Sequence, residues 1–282
     1  MAKRREAFRR EIPLQLDALY PEARMQDKKT TFIYRIIRWF VWLFSPKFRT
    51  VGLEKLPDEA CIIVGNHSQM YGPIAAEIFL PGRHEIWCAG QMMHRDEVAA
   101  YAFEDFWSFK PRWTHGFFRL LSRLITPLSV CVFNNAHTIP VYHDTRLLTT
   151  YRTSVDALQA GRSVVIFPEK NVRRNNILYA FQDKFVDLAR FYYKKAGVAL
   201  SFVPLYVAPA RKTLYLGDPI RFDPTAPIAA ERERICGRLA DAITGIACSL
   251  PEHTVVPYRN IRKRDYPKNT PLEVYNDEKT CG

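Results

Sequence analysis

A chain of 282 residues, 48% hydrophobic and 25% charged, has the make-up of a globular protein, long enough to bury a substantial core in one large domain or two small ones. A mean hydropathy of -0.21 argues against a polytopic membrane protein, and a formal net charge of +12 points to polyanionic partners such as anionic lipid headgroups, nucleic acid or an acidic protein. The six cysteines form no Cys-x-x-Cys and have no histidine at zinc spacing, which favours reduced, structural thiols in an intracellular protein.

Residues 1–30 are charged, with no core signal and some helix expected; their basic start meets Glu6 without an apolar stretch and does not read as a secretory signal. Next comes the apolar run Phe32-Ile33-Tyr34-Arg35-Ile36-Ile37-Arg38-Trp39-Phe40-Val41-Trp42-Leu43-Phe44, stopped by Ser45-Pro46. It falls short of the roughly 20 apolar residues a bilayer crossing needs, and Arg35 and Arg38 share one helical face. Such a helix suits the membrane interface; a helix packed on the core with its arginines exposed fits the same residues.

From Val51 onward, strand and helix patterns alternate. Cys61-Ile62-Ile63-Val64 has the continuous apolar character of a buried parallel strand, and Pro73 suits the first turn of the helix after it. Ile86-Trp87-Cys88-Ala89 is a second strand. The aromatic-rich stretch 103–133 could wall an apolar groove, lie against a membrane or pack in the core. A helical stripe over 147–160 ends at Gly161, and Ser163-Val164-Val165-Ile166-Phe167 is the clearest buried strand. Leu178, Phe181, Phe185, Leu188 and Tyr192 predict a further amphipathic helix closed by Gly197. Strands over 201–207 and 214–216 and a helix over 231–250 follow. The alternation predicts an α/β fold, a mostly parallel sheet flanked by helices. It divides the chain into an N-terminal charged segment with an amphipathic helix (1–49), the α/β domain (50–250) and a Pro-rich basic tail (251–282) that contains Arg259-Asn260-Ile261-Arg262-Lys263-Arg264.

His67 directly follows a buried strand, so it belongs at the carboxyl end of the sheet, where open α/β folds hold their ligands. A neutral imidazole there can take a proton from an alcohol; a hydrogen-bonding loop histidine is the alternative. Phe167-Pro168-Glu169 ends another strand on the same edge. Lys170, Arg173 and Arg174 then form either a solvated basic loop or an anion site.

Four phrases together resemble the glycerolipid (lysophospholipid) acyltransferase family: Gly65-Asn66-His67, Ile139-Pro140-Val141-Tyr142-His143, Phe167-Pro168-Glu169 and Val203-Pro204-Leu205-Tyr206-Val207, with Leu216-Gly217-Asp218-Pro219-Ile220 behind them. Their order and spacing span about 51–250. The resemblance implies transfer of a fatty acyl group from coenzyme A or acyl carrier protein, as co-substrates rather than resident cofactors, to a lysophospholipid or glycerol-phosphate hydroxyl in phospholipid biosynthesis. It makes His67 the general base and assigns His143, Glu169, Lys170, Arg173 and Arg174 to the acceptor's phosphate and glycerol, with no metal. The implied partners are membrane lipids and acyl carrier protein, and the implied location is cytoplasmic, peripheral on the membrane surface. Nucleic acid is not expected, because no zinc finger or aromatic RNA-binding motif accompanies the charge.

Three departures stand out. The family's His is followed after four residues by an Asp that fixes the imidazole, and this chain has Gly72; in a Ser-His-Asp site on another fold, losing that hydrogen bond costs about ten-thousand-fold in turnover. His143 stands where the family has Arg, and Lys170-Asn171-Val172-Arg173 replaces Gly-Thr-Arg. Glu77, one turn into the next helix, is a candidate orienting carboxylate, and a backbone carbonyl or Gln69 is another means of fixing the tautomer. A catalytically impaired lipid-binding homologue on the same scaffold is the alternative function.

Overall fold

A computed structural model describes residues 31–142 and 144–270. The helix expected within residues 1–30 lies outside them, as do His143 and the end of the C-terminal segment. Helix α1 (Phe32–Phe44) leads into a short strand, β1 (Arg49–Val51). Strand β2 (Ile62–Gly65) precedes α2 (Tyr71–Phe79), and β3 (His84–Ala89) precedes the helical pair α3 (Val98–Trp107) and α4 (His115–Asn135). Then come β4 (Thr138–Val141), α5 (Leu147–Gln159), β5 (Ser163–Ile166) and a hairpin of β6 (Glu169–Arg173) and β7 (Tyr179–Phe181). Helix α6 (Asp187–Ala196), strands β8 (Ser201–Ala208), β9 (Thr213–Leu216) and β10 (Ile220–Arg221), and α7 (Ile228–Ser249) follow.

The main sheet runs β1-β9-β8-β2-β5-β3-β4, with β10 paired to the start of β8. Every pair from β8 to β4 is parallel; β9 lies antiparallel to β8 and carries β1 parallel to itself. Because successive side chains alternate faces, Ile62, Val64, Val164, Ile166 and Phe202 pack against α5, α6 and α7, while Ile63, Val165, Val203 and Leu205 pack against α2. Both faces are therefore covered, and the strands read as unbroken apolar runs for that reason.

The helix expected over 178–192 starts only at Asp187. Side chains capture the preceding backbone instead: Asn175 Oδ1 accepts the N–H groups of Ile177 (2.8 Å) and Leu178 (2.7 Å), and Glu169 Oε1 accepts that of Tyr179 (2.8 Å). Those N–H groups are thereby committed to a turn and a strand, and the basic stretch after Glu169 becomes β6 rather than a loop.

Helix α4 is amphipathic in reverse. Its buried face carries Ser122, Thr126 and Ser129, each hydroxyl bonded to a carbonyl, of Phe118 (2.9 Å), Ser122 (2.9 Å) and Met92 (3.2 Å) respectively. Phe117, Leu120, Leu124 and Leu128 face outward, after Trp113, which is 87% exposed. Helix α1 lies against α4, joined at one end by the Thr31 N–H to Asn135 Oδ1 bond (3.0 Å). Within α1 only Tyr34 is buried, and Phe32, Ile33, Ile36, Trp39, Phe40 and Phe44 are exposed. The C-terminal segment is not a tail through residue 270: it folds back onto the domain, with His253, Val255 and Asn269 buried.

Candidate functional site at the carboxyl edge of the sheet

The site is built on the turn between β2 and α2. Asn66 zips the end of β2 to β8: its Oδ1 accepts the Val207 N–H (2.7 Å), and its Nδ2 donates to the Val207 carbonyl (3.0 Å) and to Ser68 Oγ (2.7 Å). Ser68 and Gln69 then take left-handed φ values of 47° and 54°, a conformation that costs a non-glycine residue roughly 1–2 kcal/mol. The turn closes with the Gly72 N–H on the His67 carbonyl (3.1 Å). A Cβ on Gly72 would lie 2.5 Å from that carbonyl oxygen and 3.0 Å from the Phe167 ring. Glycine is needed here for space, and no Asp fits this turn as it stands; the φ of Gly72 is not in the left-handed region.

The left-handed pair turns the Gln69 carbonyl back onto the His67 ring, where it is bonded to Nδ1. A carbonyl can only accept, so Nδ1 carries the proton and Nε2 the lone pair. No bond to Nε2 forms among the described residues, and Nε2 is not among their sealed, unsatisfied atoms. The imidazole meets Phe167 and Tyr258 edge-on, each with ring centroids 5.7 Å away. Burial lowers its pKa against the opposing bond to the Gln69 carbonyl, and the lowered pKa favours the neutral ring. The tautomer is thus fixed by main chain rather than by a carboxylate.

His67 and Glu169 meet directly. Buried Glu169 accepts the His67 backbone N–H at 2.6 Å through Oε2 and the Tyr179 N–H at 2.8 Å through Oε1. Burial raises its pKa to about 7 against the pull of those two N–H donors. Both oxygens are engaged with main chain, so this carboxylate ties the β2–α2 turn to the β6–β7 hairpin.

Glu77 is not the partner of His67. It faces the opposite way, where Oε1 accepts from Tyr34 (2.7 Å) and bonds His137 Nδ1 (3.3 Å), and its carbonyl accepts from Arg38 (3.3 Å). The α2 helix turns position 77 away from the strand end, and Glu77 instead fastens α1 to the domain. Of the predicted cations, Arg174 is drawn to Asp241 on α7 (2.9 Å), Arg173 bonds the Asn175 carbonyl (3.3 Å) and Asn176 Oδ1 (2.9 Å), and Lys170 is exposed. Tyr258 and Tyr266, which sequence reasoning left in a basic tail, are at the site; Tyr266 is bonded to the Gln69 side chain (3.0 Å). Nothing in their local sequence marks them.

No protein-family model matches the sequence, and neither does any curated protein. Among solved structures, the chain is similar to the 1-acyl-sn-glycerophosphate (LPA) acyltransferase PlsC from Thermotoga maritima, at 14% identity and a TM-score of 0.44, over 81% of this chain and 85% of that one.

Proposed function

We propose that the protein is an acyltransferase working at a membrane surface, moving a fatty acyl group from an acyl-CoA or acyl-ACP thioester to the hydroxyl of a lysophospholipid or glycerol-phosphate acceptor. The observation that carries this reading is the His67 imidazole bonded through Nδ1 to the Gln69 carbonyl, which holds the proton there and leaves Nε2 to receive one. As the acceptor oxygen attacks the thioester carbonyl, Nε2 takes the hydroxyl proton; collapse of the tetrahedral intermediate breaks the C–S bond, and the imidazolium returns the proton to the leaving thiolate. The ester C–O bond replaces the thioester, no acyl-enzyme forms, and no metal or resident cofactor takes part. Purified protein should transfer acyl groups from acyl-CoA or acyl-ACP to lysophosphatidate or glycerol phosphate, with turnover reduced at least about 100-fold in His67→Ala. Equal activity of the two proteins would overturn the base role. The binding-protein reading draws on Gly72, which leaves no room for the family's Asp; lipid retention without turnover in both proteins would establish it.

Two features support the membrane setting. A surface helix of a water-exposed protein turns its apolar stripe inward, and α4 does the reverse, with small hydroxyl residues packed inside as between helices in lipid. By length and composition, Arg112–Asn135 is the one stretch among the described residues suited to crossing a membrane. Its packing on α1 and α3 instead favours lying on the surface with the apolar side down. The sequence also has no Asp or Glu over 28–53 or 106–143, but ten Lys and Arg, leaving both stretches cationic. The protein should co-sediment with anionic liposomes more than with zwitterionic ones, and less in high salt, since exposed charges are screened beyond about 10 Å at 0.1 M.

A further inference from the structure

Past α7 the chain returns to the carboxyl edge as a loop with a closed neck. The His253 N–H donates to Asn269 Oδ1 (2.7 Å), the Asn269 N–H to the His253 carbonyl (3.1 Å), and the Val255 N–H to the Pro267 carbonyl (2.9 Å). Asn269 Nδ2 ties this neck to the end of α7 through the carbonyls of Ala247 (2.7 Å) and Leu250 (3.1 Å). The His253 ring, bonded through Nδ1 to the Pro251 carbonyl (2.8 Å), receives the Tyr206 hydroxyl at Nε2 (2.8 Å). A loop whose ends are pinned in this way is an Ω-loop, compact and often functional.

The two limbs of the loop next to its neck lie on the His67 turn. The Tyr258 ring stands edge-on to the imidazole at 5.7 Å and is 5.6 Å from that of Tyr179. Gln69 Nε2 donates to the Tyr266 hydroxyl (3.0 Å) and approaches the Arg259 carbonyl (3.5 Å). Consecutive left-handed residues other than glycine persist only where their surroundings hold them. Ser68 is held by Asn66, and the side chain of Gln69 is held by this loop. The carbonyl that sets the His67 tautomer therefore depends on a segment 190 to 197 positions further along the chain.

We infer that residues 256–267 are a strap that completes the His67 site: Tyr266, through Gln69, is a positioning residue for the imidazole, and Tyr258, edge-on to the imidazole, bounds the place where the acceptor hydroxyl must sit. This deepens the acyltransferase reading and rests on it for its kinetic consequences, but the tautomer can be read without turnover. In the full-length protein, nitrogen NMR of the His67 ring, assigned by its loss in His67→Ala, should find the proton on Nδ1. Tyr266→Phe should populate both tautomers and lower kcat about tenfold, the equivalent of one net hydrogen bond, with KM for lysophosphatidate little changed. Gln69→Asn tolerates the left-handed backbone but is too short to reach Tyr266; it should have the same effect, and the double variant should be no worse than either single one. Tyr258→Ala should raise KM more than it lowers kcat. A strap-dependent tautomer in a wild-type protein without transferase activity would support the strap and overturn the enzyme reading. An active wild type whose Nδ1 proton and kcat survive both Tyr266→Phe and Gln69→Asn would overturn the strap.

Discussion

At the carboxyl edge of the sheet, polar side chains point inward and are held by main chain: Asn66, Glu169 and, through Nδ1 alone, His67 together engage the main chain of Val207, Tyr179 and Gln69. In α1 and α4 the large apolar side chains point outward, and the polar side chains buried in α4 are small hydroxyls satisfied by carbonyls. One region meets the cost of buried polar groups with short, directed bonds; the other leaves large apolar side chains exposed. A reacting group needs the first kind of surroundings, because its geometry must be fixed, and a lipid surface needs only the second, because hydrophobic contact is not directional.

Mutations that disturb one region and spare the other sharpen this contrast. The largest effect is expected of Gly72→Asp, whose Cβ would press on the His67 carbonyl at 2.5 Å. It should lower stability by about 1–3 kcal/mol, seen as a drop in Tm, and should reduce activity rather than restore a family-like pair; a more active Gly72→Asp would show the turn to be far softer than its contacts suggest. In the helical layer, Leu120→Ser combined with Leu124→Ser should weaken liposome binding about tenfold, since two apolar side chains no longer enter lipid, and should leave Tm and the His67 tautomer alone.

Glu169→Gln acts through pH. The folded protein holds this proton more tightly than the unfolded chain, from an ordinary 4.5 up to about 7, so the contribution to stability is full below about 4.5 and declines as pH rises to about 7. Glu169→Gln should flatten that slope in urea titrations across this window, and an unchanged slope would assign it to another group. The smallest effect is expected of Glu77→Gln, which loosens the Tyr34 bond (2.7 Å) that holds α1 and the His137 bond (3.3 Å) beside it. A loss of about 1 kcal/mol should make the α1 junction easier to proteolyse, with kcat unchanged; a fall in kcat would reconnect Glu77 to the site.

The site was legible where it depends on strand ends. His67 and Glu169 each follow a buried apolar strand, and two such strands, parallel and adjacent as β2 and β5 are, must open on one edge. What holds His67 was legible only as a choice among Glu77, Gln69 and a backbone carbonyl. A helix turns each position by a fixed angle, and in α2 that angle takes Glu77 to Tyr34 and His137. The hairpin of β6 and β7 was misread because Phe185, Leu188 and Tyr192 do keep helical spacing, and the capture of the 177–179 N–H groups by Asn175 and Glu169 is a contact rather than a pattern.

By itself the sequence determined the alternation of buried strands and helices outside the β6–β7 region, the burial of both sheet faces and the cationic, acid-free character of α1 and α4, because periodicity and composition act locally along the chain. Only the tertiary structure decided which way the α4 stripe faces, that Gly72 has no room for a side chain, and that Tyr258 and Tyr266 reach His67. Each of those depends on how close two distant stretches of chain approach, and the hydrogen bonds and steric contacts involved act only within a few ångströms.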